Sequence, residues 1–255
     1  LSFTFHFAKT VFLINILYGC IWGFMFKNRN LNILLCNEYC GLPILRFKDG
    51  VYEQYLDKNY RVINQSLIMY SKVFAVRVDL RLSDEYESYD NRAVTRFIES
   101  LKAQVKADYI AKTKHSDGFV HKSDVLYIWV QETGEHNKPH YHLCLLFNGN
   151  AYRSLGKFEL GRTNMYNRIV KAWASALAIK TINAQGLVHI PKHSCYFLDK
   201  TLPFTKTFEL RVLFIRLSYF AKVDSKHYGD RRHHYGCSRT PDIKWRPFII
   251  LNLFC

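Results

Sequence analysis

His140-Tyr141-His142 follows Pro139 and opens the apolar run Leu143 to Phe147. Residues i and i+2 of a strand project to the same side, so two imidazoles here can turn nitrogens toward one divalent cation. Glu132 lies eight residues before His140, at the end of another strand-like run, Val125 to Val130. If the two runs pair as a hairpin, a carboxylate rises beside the two rings. Two His and one Glu form a mixed nitrogen and oxygen set. Such a set suits a Lewis-acid metal with open positions, the kind that works on phosphate esters. Glu132 has competitors as third ligand: Gln131 points to the opposite face of a regular strand, and Glu135 or His136 in the turn can substitute.

A second group sits in Leu217-Ser-Tyr-Phe-Ala-Lys222. Tyr219 and Lys222 are i and i+3, which share a face of a helix, and Lys226 continues that face. Cations beside a phenol stabilise a phenolate or a transferring phosphate. A metal that polarises a phosphodiester and a Tyr that attacks it define a reaction: the Tyr bonds to one DNA end and the other leaves as a hydroxyl.

These groups need elements to hold them. Val73 to Leu82 alternates from Val76 onward, with Val76, Val78, Leu80 and Leu82 on one face and Arg77, Asp79 and Arg81 on the other, which predicts a half-exposed strand. Before it, Tyr52, Tyr55, Leu56, Tyr60, Ile63 and Leu67 recur at helical spacing. Asp90 can cap a helix with the stripe Val94, Phe97, Ile98, Leu101 and Val105. Met165, Ile169, Trp173 and Leu177 mark a second, entered through Thr163-Asn164. Leu187 to Ile190 reads as a short strand, and a third helix is predicted over about residues 206–226. Trp129 and Trp173 read as core residues, and His189 and His193 as incidental to the metal set. The order predicts an α+β fold, an antiparallel sheet with helices packed on it.

The chain has 255 residues and a net charge of +15. Residues 1–150 carry 18 Lys/Arg against 15 Asp/Glu, whereas residues 151–255 carry 18 against 6. A basic half flanking a metal site favours a polyanion, most simply nucleic acid. The cluster Arg231-Arg232-His233-His234 reads as a phosphate-contacting loop or a solvated one. Seven scattered cysteines show no disulfide framework and suggest a reducing compartment. Residues 1–40 read as an apolar extension, residues 41–240 as one domain, and residues 241–255 as an atypical tail. The apolar run 11–26 is short for a membrane span, so an extension is favoured over an anchor; a buried helix is the third reading.

A His-hydrophobic-His motif, an upstream carboxylate and a downstream Tyr-x-x-Lys together resemble the HUH endonucleases, the rolling-circle replication initiators and relaxases. More closely, about Gly41 to Arg239 resembles the inovirus gene-2-like replication proteins, also called the YagK/YfjJ C-terminal domain family. The stretches that carry this are Phe74-Ala-Val-Arg-Val-Asp-Leu-Arg, Tyr127-Ile-Trp-Val, His140-Tyr-His-Leu, Asn164-Met-Tyr-Asn-Arg and Leu217-Ser-Tyr-Phe-Ala-Lys. His227-Tyr-Gly-Asp and Tyr235-Gly-Cys-Ser-Arg239 complete them.

The resemblance implies a sheet of about five antiparallel strands with flanking helices, and Mg2+ or Mn2+ as the metal. His140 and His142, with Glu132, would be ligands, Tyr219 the nucleophile, and Lys222 a phosphate positioner. Lys226, Arg231, Arg232 and Arg239 would contact DNA. The implied activity is nicking of single-stranded origin DNA at the start of rolling-circle replication of a phage or mobile element. The host replication machinery would be a partner, the bacterial cytoplasm the location, and no membrane partner is expected. Only Tyr219 lies in the Tyr-x-x-Lys frame, although Tyr228 follows; one tyrosine favours a single nick per site. A non-catalytic DNA-binding relative is the alternative. A metal-free phosphoesterase with paired His-x-Ser/Thr motifs ranks last, because neither His140-Tyr-His nor His189-Ile-Pro supplies one.

Overall fold

The strand alternation and the helix stripes assemble into a six-stranded antiparallel sheet with helices on both faces, beside two small two-stranded pairs. The computed structural model describes residues 30–83, 86, 92–133, 139–203, 207–224 and 233–240. Four short strands come first: β1 (Ile33–Leu34), β2 (Glu38–Tyr39), β3 (Leu42–Pro43) and β4 (Val51–Tyr52). They form the two small pairs, β1 with β4 and β2 with β3. Then follow α1 (Glu53–Met69), β5 (Lys72–Arg81), α2 (Arg92–Lys114), β6 (Leu126–Thr133) and β7 (Pro139–Asn148). The C-terminal part holds α3 (Met165–Leu177), α4 (Thr181–Gln185), β8 (Val188–His189), β9 (Cys195–Asp199), α5 (Phe208–Ser218), a 3-10 turn (Tyr219–Ala221) and β10 (Tyr235–Cys237).

The main sheet runs β10-β6-β7-β5, and β8 and β9 both pair along the remaining edge of β5. Six strands therefore fill five positions across, the α+β layer that the sequence predicts. Period-two alternation sorts its side chains. Phe74, Val76, Val78 and Leu80 of β5 join Tyr141, Leu143, Leu145 and Phe147 of β7 on one face, under α2 and α3. Val73 and Ala75 of β5, Leu126, Ile128 and Val130 of β6, and Cys144 and Leu146 of β7 form the other face, under α1 and α5. Burial of each large apolar side chain contributes about 1.5–3 kcal/mol, so both faces hold the sheet between its helices.

The predicted helix stripes are buried: Val94, Phe97, Ile98, Leu101 and Val105 in α2, and Met165, Ile169, Trp173 and Leu177 in α3. Asn164 caps α3 as expected, accepting from Asn167 N at 2.9 Å. Trp129 packs across Gly236 of the edge strand β10, where an added Cβ would lie 2.5 Å from the indole. Packing reaches N-terminal of residue 41: β1 pairs with β4, and Leu31, Leu34, Cys36, Tyr39 and Cys40 lie against the core.

Three expectations change. The third helix stops at Ser218 instead of continuing to 226; Lys222 N bonds to Tyr219 O and the chain then bridges to Val51. The polar face of β5 is not an open surface, because the side chains of Arg77 and Asp79 are 12% and 15% exposed. His234 is not a solvated loop residue: it is 5% exposed and its carbonyl accepts from Gln131 N, extending the β10–β6 pairing.

The apolar run 11–26, Asp90, Glu135, His136, Lys226, Tyr228, Arg231, Arg232 and the tail 241–255 lie outside the described residues. Among the described residues no helix is long and apolar enough to cross a membrane, and the five cysteines there are free.

Candidate functional site

The hairpin register builds the site. Glu132 stands directly opposite His140, and Val130 opposite His142, so Glu132, His140 and His142 share a face. β5 runs along the other side of β7, and its register sets Asp79 opposite His142. Four polar side chains from three adjacent strands thus converge where the apolar second face ends. Gln131 stands opposite Tyr141 on the other face and so does not face the two histidines.

One donor atom from each of Glu132, His140 and His142 lies within 4.8 Å of the others. His142 Nε2 is 3.3 Å from Glu132 Oε2, a separation suited to adjacent ligands of one cation at bond lengths near 2.1 Å. The donor set therefore fits a divalent metal of the Mg2+, Mn2+ or Zn2+ kind. The two imidazole rings meet edge to face, with centroids 4.8 Å apart.

Asp79 orients His142. Its Oδ1 lies 2.6 Å from His142 Nδ1 and accepts from Arg77 Nε at 3.2 Å. With Nδ1–H donating to Asp79, Nε2 is the nitrogen aimed at Glu132, and it can serve a metal once it has given up its proton. Arg77 Nη2 is also 3.2 Å from Nδ1, a close contact that does not compete for that proton. Burial raises the Asp79 carboxyl, but the hydrogen bond and charge of His142, with Arg77, outweigh it and hold the pKa at about 2. Burial lowers His142, yet its bonds to Asp79 and Glu132 prevail and its pKa lies above the ordinary value. His140 lies below its ordinary value, through burial and then the neighbouring charge of His142. His189 Nδ1 approaches Asp79 Oδ2 at 3.5 Å; it lies beside the site rather than in the ligand set.

The downstream group arrives from the end of α5, in the helix layer that covers this same face. Tyr219 OH donates to Glu132 Oε2 at 3.3 Å. Lys222 Nζ lies 4.2 Å from the Tyr219 ring centroid and 4.0 Å from Glu132 Oε1. The 3-10 turn explains this closeness: with three residues per turn, i and i+3 eclipse. Burial lowers the Lys222 ammonium, but Tyr219 and Glu132, with Asp224, outweigh it and raise its pKa. Arg77 also lies against the Tyr219 and Phe220 rings, at 5.7 and 5.8 Å. The turn is fixed from below, since Leu217 O accepts from Asn59 Nδ2, and Asn59 Oδ1 accepts from Tyr235 OH.

The structure thus brings together His140, His142, Glu132, Tyr219 and Lys222. It does not bring Arg239 to them. Ser238 N bonds to Tyr127 O, which sets Arg239 beyond the far end of β6 from Glu132, roughly 20 Å along the strand. Sequence reasoning missed Asp79 and Arg77. Their signal was present as a polar face opposite an apolar one, but only strand pairing shows that this face meets the histidines.

A sequence profile described as the YagK/YfjJ C-terminal domain matches residues 37–238. The chain is 35% identical over 180 residues to the uncharacterized protein YagK of Escherichia coli strain K12, covering 67% of this chain and 85% of YagK. It is 35% identical over 196 residues to the uncharacterized protein YfjJ of the same strain, covering 72% of this chain and 93% of YfjJ. No solved structure matches. The matched span takes in every strand and helix that builds the site, from β2 to β10, and on that ground the chain belongs to the YagK/YfjJ C-terminal domain family.

Proposed function

We propose that this protein is a metal-dependent, tyrosine-dependent single-strand DNA endonuclease of the HUH kind. It would nick origin DNA to start rolling-circle replication of a phage or mobile element in the bacterial cytoplasm, with the host replication machinery as partner. One observation carries the reading: the Tyr219 hydroxyl lies 3.3 Å from Glu132, a carboxylate of the candidate metal set. Tyr219 and Glu132, 87 residues apart in sequence, therefore meet where a phosphate would have to bind for this reaction.

Glu132, His140 and His142 would hold Mg2+ or Mn2+, which when bound polarises the phosphodiester. Tyr219 would attack phosphorus; the bond to the 3′ oxygen breaks and that oxygen takes a proton from water, leaving a free 3′-hydroxyl and a 5′-phosphotyrosine. Glu132 Oε2 is the acceptor within reach of the phenol proton. Lys222 and Arg77, each against the Tyr219 ring, would offset the charge that develops on the phenol and the phosphate.

A second reading, a DNA-binding relative without catalysis, draws on the charge balance. Asp79 and Glu132 are already met by Arg77, Lys222 and His142. The test is incubation with labelled single-stranded DNA and Mn2+ followed by denaturing electrophoresis. A protein-linked 5′ end is expected from the wild type and none from Tyr219→Phe. An adduct that persists in Tyr219→Phe overturns the nucleophile, and titration calorimetry showing no divalent binding favours the second reading.

A further inference from the structure

The turn that carries Tyr219 is covered by residues 45–50, and this loop is tied to it at both ends. Leu45 N donates to Ser218 Oγ at 2.9 Å. Ser218 is fully buried and its Oγ donates to Ile215 O at 2.7 Å, so the tie is anchored in α5. At the other end Val223 N donates to Gly50 O at 3.2 Å, beside the Val51–Lys222 bridge. Gly50 N closes the loop onto Phe47 O at 3.2 Å. Gly50 has φ +77, and a Cβ there would lie 2.5 Å from Leu34 O, so this position needs glycine. Tertiary contacts, rather than local propensity, prescribe the path of the loop.

Between the two ties, Phe47 sets its ring edge-on to Tyr219, with centroids 6.2 Å apart and planes at 64°. Phe47 is half-buried, while Arg46 and Lys48 on either side are exposed. Neither cation has an ion-pair partner among the described residues; Asp49, also exposed, is the one carboxylate of the loop. A half-covered aromatic between two unpaired cations, held against a phenol, is the arrangement on which an unpaired base stacks while its phosphates meet the charges. A paired duplex presents no free base face to such a ring.

We infer that Arg46-Phe47-Lys48 is a nucleotide subsite for single-stranded DNA next to the phosphate that meets Tyr219. Phe47 stacks one unpaired base, and Arg46 and Lys48 hold the phosphates that flank it. This rests on the reading of the site as one that acts on single-stranded DNA.

The test uses Tyr219→Phe as parent, so that binding is read without cleavage. The probe is a fluorescein-labelled oligothymidylate of about 16 nucleotides, followed by anisotropy over a salt series. Phe47→Ala is expected to weaken binding at least about fivefold with the salt slope unchanged, and Phe47→Trp to restore it to within about twofold. Arg46→Ala with Lys48→Ala is expected to flatten the log–log salt slope by about 1.4, near 0.7 for each lost phosphate contact. Arg46 and Lys48 are exposed and Trp keeps the ring, so these variants retain the fold. Lys171→Ala, exposed on α3 over the opposite sheet face, should change neither quantity.

Phe47→Ala binding within twofold of the parent, an unchanged slope in the double variant, or no measurable binding by the parent each overturns the subsite. Wild-type protein is then assayed for the covalent adduct. Failure to form it while the binding pattern holds removes the nicking reading and leaves the subsite. An adduct formed equally well with Phe47→Ala in place removes the subsite and leaves the nicking reading.

Discussion

Asp79 and Asp108 are two sheltered carboxylates with the same electrostatic character and different surroundings. Asp108 joins α2 to α3: it pairs with Arg168, with Lys112 one turn along at 2.8 Å, and accepts from Tyr152 OH at 2.7 Å. Burial raises it, but these donors outweigh burial and its pKa lies below the ordinary value, as does that of Asp79. The partners separate them. Around Asp108 every partner is a permanent donor whose other contacts are structural. Around Asp79 one partner is His142, whose second nitrogen faces Glu132 and the Tyr219 turn. A lowered carboxylate pKa marks a well-paired group; what the partner does with its remaining donor or acceptor decides whether the pair holds a fold or aims a ligand.

Removing the two histidines of the candidate metal set should divide the two most sharply. His140→Ala with His142→Ala is expected to abolish detectable Mn2+ binding in calorimetry and reduce adduct formation at least about 100-fold, with the Asp108 cluster untouched. Asp108→Ala should act in the opposite sense. It leaves Arg168 poorly paired and costs about 2–4 kcal/mol, a fall in Tm on the order of 10 °C, while Mn2+ affinity stays within about twofold. If Asp108→Ala weakens the metal as much as it weakens the fold, the comparison breaks.

Asp79→Asn keeps the size and an acceptor for His142 Nδ1–H but loses the charge. Metal affinity is expected to fall about tenfold; an unchanged affinity would make Asp79 a second structural carboxylate. The smallest effect is the pH dependence of Asp108. A carboxylate with a lowered folded pKa contributes stability above its ordinary value of 3.8, and this is lost as pH falls through the folded value. The stability gap between wild type and Asp108→Asn, from urea melts, should therefore be constant from about pH 5 to 7 and narrow below about pH 4. A gap that widens on acidification contradicts the pairing.

Much of the frame was legible in the chain. The alternation of Val76 to Leu82 and the stripes of α2 and α3 are periodicities, and periodicity states which side of an element is buried. The His140-Tyr-His142 pair was legible for the same reason, since i and i+2 need no tertiary information to share a face. β9 and β10 were not, being short edge strands whose pairing depends on partners more than 100 residues away in sequence for β9 (Cys195 on Val76) and for β10 (Cys237 on Ile128). The end of α5 is not legible either, because apolar residues continue through Phe220 and Ala221, while the helix gives way to the 3-10 turn and the bridge of Lys222 to Val51.

By itself the sequence determined which residues could ligate, which could attack, and the order in which strands and helices deliver them, because those properties belong to side-chain chemistry and to local period. Only the tertiary structure decided that Glu132 rather than Gln131 faces the histidines, that Asp79 orients His142, and that Tyr219 reaches Glu132. Each of these depends on strand register or on a helix terminus; a one-residue slip of β5, β6 or β7 would turn that strand's side chains to the opposite face, and a helix ending elsewhere would carry Tyr219 away from Glu132.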